Sequence, residues 1–586
     1  MSQSKYFREE LTFLKEQGKE FTEIYPQLAR FLNGNTTDPD VERLLEGFAF
    51  LSAKLREKVD DEFPELTHSI INMLWPNYLR PVPSMSILAF SPEKMTSEYQ
   101  IIQRGTSVES KPVLGTKCKF KTCRDVEVYP IVLSKVYAEH TRESSRININ
   151  LSINSGVSCE KIKMDKMRFY LGGDKYSAQM LYLWMNQHLK KISIEVNGEE
   201  AELPDGVCSV VGFSESESLL PYPKNVYEGY RIFQEFLYFP QAFYFIDISG
   251  LQHINKIEDE FSLKFRFTKT LPTDIRVSRD SFQLYCTPVV NLFEHDAEPI
   301  DFNGCKSEYA IVPSSRFSSH YEIFYVNQVI GWKQKKDSAH SGGLRRVYLP
   351  FESFQHEVER SNNRVSLYYR SRVKESIRGD GYDTFLSFVR GDESESVGVD
   401  EAVSVSLTCT NRMLPAELGI GDICEYTEDI PSAVKFHNIL QPTQSVRPVL
   451  DGSLLWTLIS NLSLNYLSLL SKDALCSVLR AYDFKACVDR QAEKVARMRL
   501  DAISEVESYP VDKIIRGMTV RGLQTTIHLD QKGFASEGEL YLFGTVLSRF
   551  FALYASINSF HELIVVNQTN NEKYRWGIQS GIQPLM

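Results

Sequence analysis

The residues best suited to chemistry in this sequence stand apart from one another. A metal site or a general-base catalyst needs a second ligand, acid or nucleophile at helical or hairpin spacing. Four histidines have no such neighbour: His320, His437, His528 and His561. The ten cysteines contain no Cys-x-x-Cys motif, and the closest pair, Cys118 and Cys123, has four residues between its members. We therefore predict no metal site and expect the cysteines to be reduced, buried and apolar in role.

Motifs for catalysis or cofactor binding are also missing from the sequence. Residues 419–421 (GIG) lack the third glycine of a phosphate-binding loop, so we interpret them as a turn. Neither a Gly-x-Ser-x-Gly elbow nor a His-Glu-x-x-His helix occurs. The acidic residues 60–62 (DDE) are more typical of a solvated connection than of a cation site. The sequence thus predicts no catalytic residue and no cofactor, and it favours a protein that is not an enzyme.

Charge and hydropathy limit the possible partners. The net charge is −10 and the calculated pI is about 5.7, while the densest basic runs, 333–336 and 345–346, are short. Phosphate binding needs clustered Lys and Arg, so we predict no nucleic-acid partner. The first ten residues have no apolar signal-peptide core. Residues 453–470 are uncharged but too polar for a membrane span, which favours a buried helix and a cytoplasmic protein without direct membrane insertion.

The elements that could position an interface begin with an apolar helical seam. Its members follow alternating steps of four and three residues, as in a helix bundle: Phe7, Leu11, Leu14, Gly18, Phe21, Tyr25, Leu28 and Leu32. Pro26 divides it into two helical pieces. A second helix is predicted to begin at Pro39, with Asp38 as its N-cap, and to carry an apolar face from Leu44 to Val59. The seam either completes a bundle with a partner chain or packs against that face, and both interpretations stay open.

Length and periodicity predict a multidomain α+β fold. A chain of 586 residues exceeds what one hydrophobic core can serve, so two to four domains are expected. From residue 84 the apolar period changes from helical to alternating, with helical patches between roughly 140 and 280 and again after 453. The predicted regions are a helical N-terminal region (1–83), a β-rich segment (84–140) that pairs with a β-rich domain (300–430), a mixed α/β insert (141–299) and a C-terminal α+β domain (431–586).

Several segments, in order along the chain, resemble one protein family. They are 42–51 (ERLLEGFAFL), 60–64 (DDEFP), 75–79 (WPNYL), 104–106 (RGT), 118–122 (CKFKT), 286–294 (CTPVVNLFE), 410–415 (TNRMLP), 458–469 (LISNLSLNYLSL), 542–547 (LFGTVL) and 550–560 (FFALYASINSF). Together they are similar to the TssF family, also called VasA or ImpG, of the bacterial type VI secretion baseplate. The resemblance covers both ends and the middle of the chain but is poorest between about 140 and 280. The tail 576–581 (WGIQSG) departs from the family's Trp-x-Pro-Arg-x-Gly pattern.

The resemblance implies a structural wedge subunit. TssF-like proteins pair with a second TssF copy and with TssG, and the wedges bind TssK and TssE around the VgrG spike. The platform then initiates tube and sheath assembly at the inner face of the cell envelope. On this interpretation the partner interface includes the seam residues Phe7 to Leu28.

Two other functions are kept as alternatives. The first is a freestanding cytoplasmic scaffold or adaptor that uses the same fold outside a secretion machine. The second is a hydrolase, suggested only by the size of the chain and its mixed β-rich composition, which cannot assign a function.

Overall fold

The structure is a computed structural model whose described residues form two compact units. One unit comprises residues 1–71 with 450–460, and the other comprises residues 72–449 with 461–586. The structure describes residues 7–8, 11–14, 39–60, 70–72, 76–92, 99–154, 164–203, 206–222, 228–251, 260–303, 306–333, 344–351, 367–376, 381–390, 401–431, 433–448, 471–515, 517–552, 555–556 and 558–581.

The smaller unit is described mainly by one helix. Helix α1 (Pro39–Asp60) begins at the predicted proline, whose fixed φ and missing N–H suit the first helical turn. Residues 7–8, 11–14 and 70–71 are also helical. The predicted helix at 453–470 lies outside the described residues.

The predicted fold class, α+β with a helical N-terminal region, is wrong. The described chain is mostly β and contains several sheets, and it does not present a helical N-terminal domain. The error has a physical cause. Periodicity identifies local faces, whereas many short strands here are stabilised by pairing with residues more than a hundred positions away.

The first sheet brings together distant parts of the larger unit. Its strand order is β24-β3-β4-β15-β1-β25. The strands are β1 (Met85–Pro92), β3 (Ser107–Val113), β4 (Thr116–Thr122), β15 (Cys286–Val290), β24 (Ile423–Glu425) and β25 (Val434–Asn438). A separate two-stranded sheet is formed by β2 (Gln100–Ile102), which precedes β3, and β5 (Val126–Val128), which follows β4.

A five-stranded antiparallel sheet follows, in the order β10-β9-β13-β7-β6. Its strands are β6 (Ile131–His140), β7 (Ser145–Ile153), β9 (Leu189–Val196), β10 (Glu199–Glu202) and β13 (Glu260–Phe267). Asn197 and Gly198 join β9 to β10 with φ values of 52° and 84°, as a two-residue hairpin turn requires. Along β13 alternate residues from Phe261 to Phe267 are buried, which makes one face of this sheet a core face.

A four-stranded sheet, ordered β11-β12-β8-β14, carries two helices in its connections. The strands are β8 (Lys166–Leu171), β11 (Cys208–Val210), β12 (Phe245–Ser249) and β14 (Phe282–Leu284). The helices are α2 (Lys175–Leu183), which continues into a π-helical turn (Trp184–His188), and α3 (Glu228–Tyr238).

The largest sheet encloses an aromatic and aliphatic core. Its path is β16-β23-β19-β20-β21-β22-β18, and β17 also pairs with β23. Val329, Leu386, Val403 and Leu407 are fully buried in that core. The strands are β16 (Phe293–Asp296), β17 (Ile300–Phe302), β18 (Tyr309–Ala310), β19 (Glu322–Lys333), β20 (Leu344–Pro350), β21 (Leu367–Glu375), β22 (Tyr382–Arg390) and β23 (Glu401–Thr410).

The C-terminal part combines four helices with a mixed sheet ordered β26-β27-β28-β29, in which β27 and β28 are parallel and β30 also pairs with β28. The helices are α4 (Lys472–Tyr482), α5 (Phe484–Val488), α6 (Arg490–Asp501) and α7 (Glu537–Phe551), and the strands are β26 (Ile503–Ile515), β27 (Met518–Leu529), β28 (Phe560–Asn567), β29 (Lys573–Arg575) and β30 (Gln579–Ser580). Almost every residue of α7 is buried, and the Ser536 hydroxyl caps it by accepting from the Glu539 N–H. Aromatic rings of α7 meet rings of α2 and α3, as in the pairs Tyr182–Tyr541 and Phe233–Phe550.

Candidate functional site

The structure describes three residues of the predicted N-terminal seam. Phe7, Leu11 and Leu14 lie in helical turns and are half-buried. The Thr12 hydroxyl donates to the Arg8 carbonyl oxygen at 2.7 Å, one helical turn back along the chain. The remaining seam residues lie outside the described residues: Gly18, Phe21, Tyr25, Leu28 and Leu32.

Helix α1 buries two alanines and exposes several large apolar side chains. Ala49 and Ala53 are 0% and 5% exposed, whereas Leu44, Phe48 and Leu51 are 74%, 60% and 61% exposed. These three large residues, which we call the α1 face, are spaced i, i+4 and i+7 and therefore lie side by side. Burial of three adjacent apolar side chains against another surface would be favourable, because it would remove their apolar area from water. The α1 face is therefore a candidate assembly surface, and the side chains of the predicted residues Leu55 and Val59 lie outside the described part.

The larger unit holds a dense polar network around one short segment. We call residues 213–218 (FSESES) the Ser-Glu segment. Four arginines that are far apart in sequence donate hydrogen bonds to it: Arg104, Arg124, Arg168 and Arg231. Because each guanidinium carries donors in a rigid fork, four of them define the path of this segment closely.

Arg104 holds the C-terminal half of the Ser-Glu segment. Its Nη1 donates to the Ser216 carbonyl oxygen at 2.8 Å, and its Nη2 donates to the Ser218 carbonyl oxygen at 3.1 Å and to Ser218 Oγ at 2.7 Å. The Arg104 N–H donates in turn to Asp125 Oδ1 at 2.7 Å. Arg104 therefore links the turn before β3 to the segment.

The carboxylate of Glu217 is the charged centre of the network. Its Oε2 accepts from the Gly212 N–H at 2.8 Å, and its Oε1 accepts from Arg168 Nη2 at 2.9 Å. Arg168 also makes a two-point contact with Asp247, with N–O distances of 2.6 and 2.8 Å. Burial alone would raise the pKa of Glu217, but the Gly212 N–H and the positive charges of Arg124 and Arg168 lower it below its ordinary value. Glu217 is therefore a stable anion that serves as an acceptor.

A buried ion pair on α3 completes the network. Arg231 Nη1 donates to Glu235 Oε2 at 3.1 Å, and both side chains are almost fully buried. Arg231 Nη2 donates to the Phe213 carbonyl oxygen, and Glu235 Oε1 accepts from the Leu219 N–H at 2.9 Å. Burial raises the pKa of Glu235. The pair ties α3 to both ends of the Ser-Glu segment, which is a structural role.

A cavity of about 220 Å³ lies beside this network. It is lined by charges of both signs, including Arg124, Lys166, Arg168, Asp125, Glu127 and Glu217. Most of these charges have partners, such as the Tyr129 hydroxyl, which donates to Glu127 at 2.6 Å. Burial lowers the pKa of Arg124 to about 10 and raises that of the lining thiol Cys286, so the thiol stays protonated and unreactive. The lining residues thus hold the surrounding backbone in place, since the Arg124 guanidinium donates to the Glu217 and Ala242 carbonyl oxygens.

The histidines singled out from the sequence are not brought together. His320 Nδ1 lies 2.7 Å from Thr116 Oγ1, whereas His561 Nε2 lies 2.9 Å from Thr525 Oγ1 in another sheet. Within the described ranges, no three His, Cys, Asp or Glu side chains are arranged to hold a metal ion. The eight described cysteines form no disulfide with one another. Among the described helices, none is long and apolar enough to cross a membrane.

Sequence reasoning did not find the arginine network. Arg104 lies in one of the family-like segments, at residues 104–106, but its partners at 213–218 fall where the resemblance is poorest. The sequence spacing of Arg104, Arg124, Arg168 and Arg231 does not indicate that they lie together. They belong to different elements, which meet only in the folded chain. Only the folded chain reveals the network.

Comparison with known proteins gives matches along the whole chain. The family described as type VI secretion system, TssF, matches residues 2–583. A curated relative, the type VI secretion system component TssF1 of Pseudomonas aeruginosa, is 28% identical over 631 aligned positions, which cover 99% of this chain and 98% of the relative.

Two solved structures are similar in fold. A chain of a TssK-TssF-TssG baseplate subcomplex, determined by cryo-electron microscopy, is 29% identical with a TM-score of 0.76 and coverage of 92% of this chain and 99% of that chain. A chain of a type VI secretion baseplate complex is 25% identical with a TM-score of 0.64 and full coverage of both chains.

Proposed function

The chain belongs to the TssF family and is a structural component of the type VI secretion baseplate, and we propose that it acts there as a wedge subunit. In this role it pairs with a second copy of itself and with TssG. The observation that carries the proposal is the family match over residues 2–583, since a match of that length leaves no room for an unrelated domain within it.

TssG and TssK are the proposed direct partners. A similar solved chain lies in a TssK-TssF-TssG subcomplex, and this chain covers 99% of its length. TssE, the VgrG spike and the second TssF copy are proposed from the family resemblance. The platform they form surrounds the spike and initiates tube and sheath assembly, in the cytoplasm at the inner face of the envelope.

The proposed partner interface is the N-terminal seam together with the α1 face. Supporting it, Phe7, Leu11 and Leu14 are helical and only half-buried, and the α1 face is exposed. Bundle formation with a helix of TssG or of the second copy would bury such surfaces. Each fully buried Leu or Phe side chain contributes about 1.5–3 kcal/mol, which is enough for a few residues to dominate an interface.

A role in assembly also agrees with the chemistry of the described residues. The relatives with the same fold are components of a baseplate, and the polar network of this chain organises backbone around Glu217.

A freestanding adaptor built on this fold is the alternative, and it would be stable and monodisperse without TssG. A hydrolase would need an activated nucleophile, and the Cys286 thiol in the lining of the cavity beside Glu217 is kept protonated because burial raises its pKa.

The test is co-expression with the TssG encoded beside this chain, followed by purification through a tag on TssG. The proposal predicts that this chain is retained in a stable complex. A chain that elutes alone in every salt condition would overturn the wedge assignment and favour the adaptor.

A further inference from the structure

Arg124 is a buried cation with an unused donor. The residue is 2% exposed. Its Nε and Nη2 donate to the carbonyl oxygens of Glu217 and Ala242 at 3.2 and 2.9 Å, whereas its Nη1 has no hydrogen-bond partner among the described residues. A buried donor without a partner is costly, most of all on a charged group. This nitrogen therefore marks a place where a further acceptor would stabilise the chain.

The positive charge of Arg124 is also incompletely balanced. In the part of the chain that the structure describes, no carboxylate oxygen lies within 4.0 Å of its guanidinium, and the Glu217 carboxylate attracts it only from beyond that distance. The Phe245 ring, with its centre 4.9 Å from the guanidinium carbon, supplies no counter-charge. Arg231 is equally buried, yet it contacts the Glu235 carboxylate at 3.1 Å. The expected partner of Arg124 is therefore an anionic group.

The cavity of about 220 Å³ beside Arg124 has a buried floor and an exposed mouth. Its buried lining residues include Arg124, Met167, Tyr285 and Cys286. Its exposed lining residues are Asp125, Glu127, Lys166 and Ser216. One water molecule needs only about 10–15 Å³, so the cavity has room for a small molecule. A solute can therefore enter from solvent and reach the Arg124 charge.

Two carboxylates make the mouth of the cavity acidic. Asp125 and Glu127 each accept one hydrogen bond from the chain, at 2.7 and 2.6 Å. A carboxylate has about four acceptor sites, so both can accept from a ligand as well. The other lining charges are offset within the chain: Lys166 by Asp247 at 3.7 Å, and Arg168 by Glu217 at 2.9 Å. The cavity thus has a cation at its floor and negative charge at its mouth.

We propose that this cavity binds a small zwitterion of the amino-acid class. Its carboxylate accepts from Arg124 Nη1 at the floor, and its ammonium group donates to Asp125 and Glu127 at the mouth. Such a ligand supplies both the acceptor and the counter-charge that Arg124 lacks, and it adds no net charge to the site. The inference concerns a small-molecule site, and it does not rest on the proposed wedge role.

Two other occupants fit the cavity less well. A water molecule can accept from Arg124 Nη1, but it brings no charge to offset the guanidinium. A dianion such as hydrogenphosphate balances the guanidinium but meets the carboxylates of Asp125 and Glu127 at the mouth. A zwitterion avoids both costs, because its two charges match the two ends of the cavity.

The experiment uses the purified full-length chain and three ligands of nearly equal size: L-alanine, L-lactate and L-alaninamide. L-Lactate lacks the ammonium group, and L-alaninamide lacks the carboxylate. Because so small a ligand binds weakly, binding is measured by saturation-transfer difference NMR on the methyl protons. L-Alanine should bind at least about tenfold more tightly than either analogue, and inorganic phosphate should not displace it.

Two variants test the two ends of the cavity. Arg124→Lys removes Nη1 while keeping the charge, and it should abolish the L-alanine signal. D125N/E127Q removes the acidic charge of the mouth at two exposed positions, and it should weaken L-alanine binding by at least about fivefold without weakening L-lactate binding. The control E199Q/D301N makes the same change in net charge at exposed positions elsewhere and should bind L-alanine as the parent does. Circular dichroism melts test whether each variant is folded, and D125N/E127Q decides the matter if Arg124→Lys does not fold.

Three results would overturn the inference. The first is no signal from L-alanine, which would leave water as the occupant. The second is binding of L-lactate or phosphate as tight as that of L-alanine, which would make the cavity a site for simple anions. The third is binding of L-alanine that neither D125N/E127Q nor Arg124→Lys changes, which would place the bound ligand elsewhere on the chain.

Discussion

Asn291 and Asn411 hydrogen-bond to each other in the interior of the protein although they are 120 positions apart in the chain. Asn291 Nδ2 donates to Asn411 Oδ1 at 2.9 Å, and the Asn411 N–H donates to Asn291 Oδ1 at 2.7 Å. Asn291 Nδ2 also donates to the Lys119 carbonyl oxygen at 2.7 Å. Asn291 lies between β15 and β16, and Asn411 directly follows β23. The pair therefore fastens the first sheet to the eight-stranded sheet.

Removal of the Asn291 amide should destabilise the protein strongly. Asn291→Ala removes the partner of the buried Asn411 N–H and of the partly buried Lys119 carbonyl, and an unpaired buried polar group costs about 1–3 kcal/mol. We expect the free energy of unfolding, measured in urea, to fall by about 3 kcal/mol. The control Asn327→Ala, at an exposed position whose amide accepts one bond from Thr408, should change it by less than about 0.5 kcal/mol. Equal losses in the two variants would contradict the assigned role of the pair.

A methyl group at Gly538 should force two helices apart. A Cβ built at Gly538 in α7 would lie 2.0 Å from the carbonyl oxygen of Gln179 and 2.3 Å from its carbonyl carbon in α2. Because these are backbone atoms, they cannot rotate away, and overpacking of this kind costs about 1–3 kcal/mol. Gly538→Ala should therefore lower the melting temperature, whereas Gly577→Ala, which has no atom within 4 Å of the added Cβ, should leave it unchanged. Identical melting curves would show that α2 and α7 do not approach this closely.

Protonation of His561 should destabilise the fold below neutral pH. His561 is buried against the Phe551 ring, and burial lowers its pKa to about 4 from an ordinary value near 6.5. The unfolded chain therefore binds this proton first as the pH falls. Stability from the neutral imidazole is complete above about pH 6.5 and is lost progressively between 6.5 and 4, by up to about 3 kcal/mol.

The test compares urea midpoints between pH 7.5 and 4.5. His561→Gln should show a shallower loss of stability than the parent, although His188, whose pKa burial also lowers to about 4, keeps part of the slope. His437→Gln, at an exposed position on β25, should follow the parent. A parent-like slope in His561→Gln would refute the linkage.

Substitution of the α1 face should affect assembly and spare the fold. Leu44, Phe48 and Leu51 are exposed, so replacing all three with Ser removes little buried area from the chain and should change its melting temperature by no more than about 1 °C. Binding to TssG should weaken by at least about tenfold, because each apolar side chain buried at the interface contributes about 1.5–3 kcal/mol. Biolayer interferometry on immobilised TssG measures this.

A matched variant controls for loss of exposed apolar surface in general. Ile101→Ser, Val207→Ser and Ile420→Ser together remove three exposed apolar side chains from other parts of the protein. This triple variant should bind TssG as the parent does. If it lost as much affinity as the α1 variant, the α1 face would have no special part in assembly.

Elements with a strict period were predictable from the sequence. The alternating apolar residues at 261–267 are typical of a strand, and β13 spans Glu260–Phe267; the apolar run after residue 561 is typical of another, and β28 spans Phe560–Asn567. Helix α7 lies in the region after residue 453 where helical patches are predicted, and its serine cap and dense apolar content are local signals. These three elements are recognisable from the sequence because the signals that indicate them lie within the element itself.

Elements that depend on distant partners were not predictable. Residues 120–128 alternate like one strand, yet the structure divides them into β4 and β5 because Arg124 turns inward to donate to the Glu217 and Ala242 carbonyl oxygens. Strand β10 has the sequence EEAE and no apolar face. It is stabilised by pairing with β9 and by cations of β13, including Arg266, which pairs with Glu200. Strands of this kind account for the error in the predicted fold class.

The candidate surfaces were also predictable from the sequence only in part. Spacing alone predicted the seam and the apolar face of α1, since both depend only on helical geometry. Whether that face is covered could not be predicted, because burial depends on the rest of the chain. The contacts of Arg104 with the Ser-Glu segment were equally hidden, since they join residues more than a hundred positions apart.

The measurement that tests the central claim most directly is native mass spectrometry of this chain co-expressed with TssG. The wedge assignment predicts a stable assembly that contains two copies of this chain and one TssG, and loss of that assembly in the triple Ser variant of the α1 face. A monodisperse single chain, in the presence of folded TssG, would contradict it.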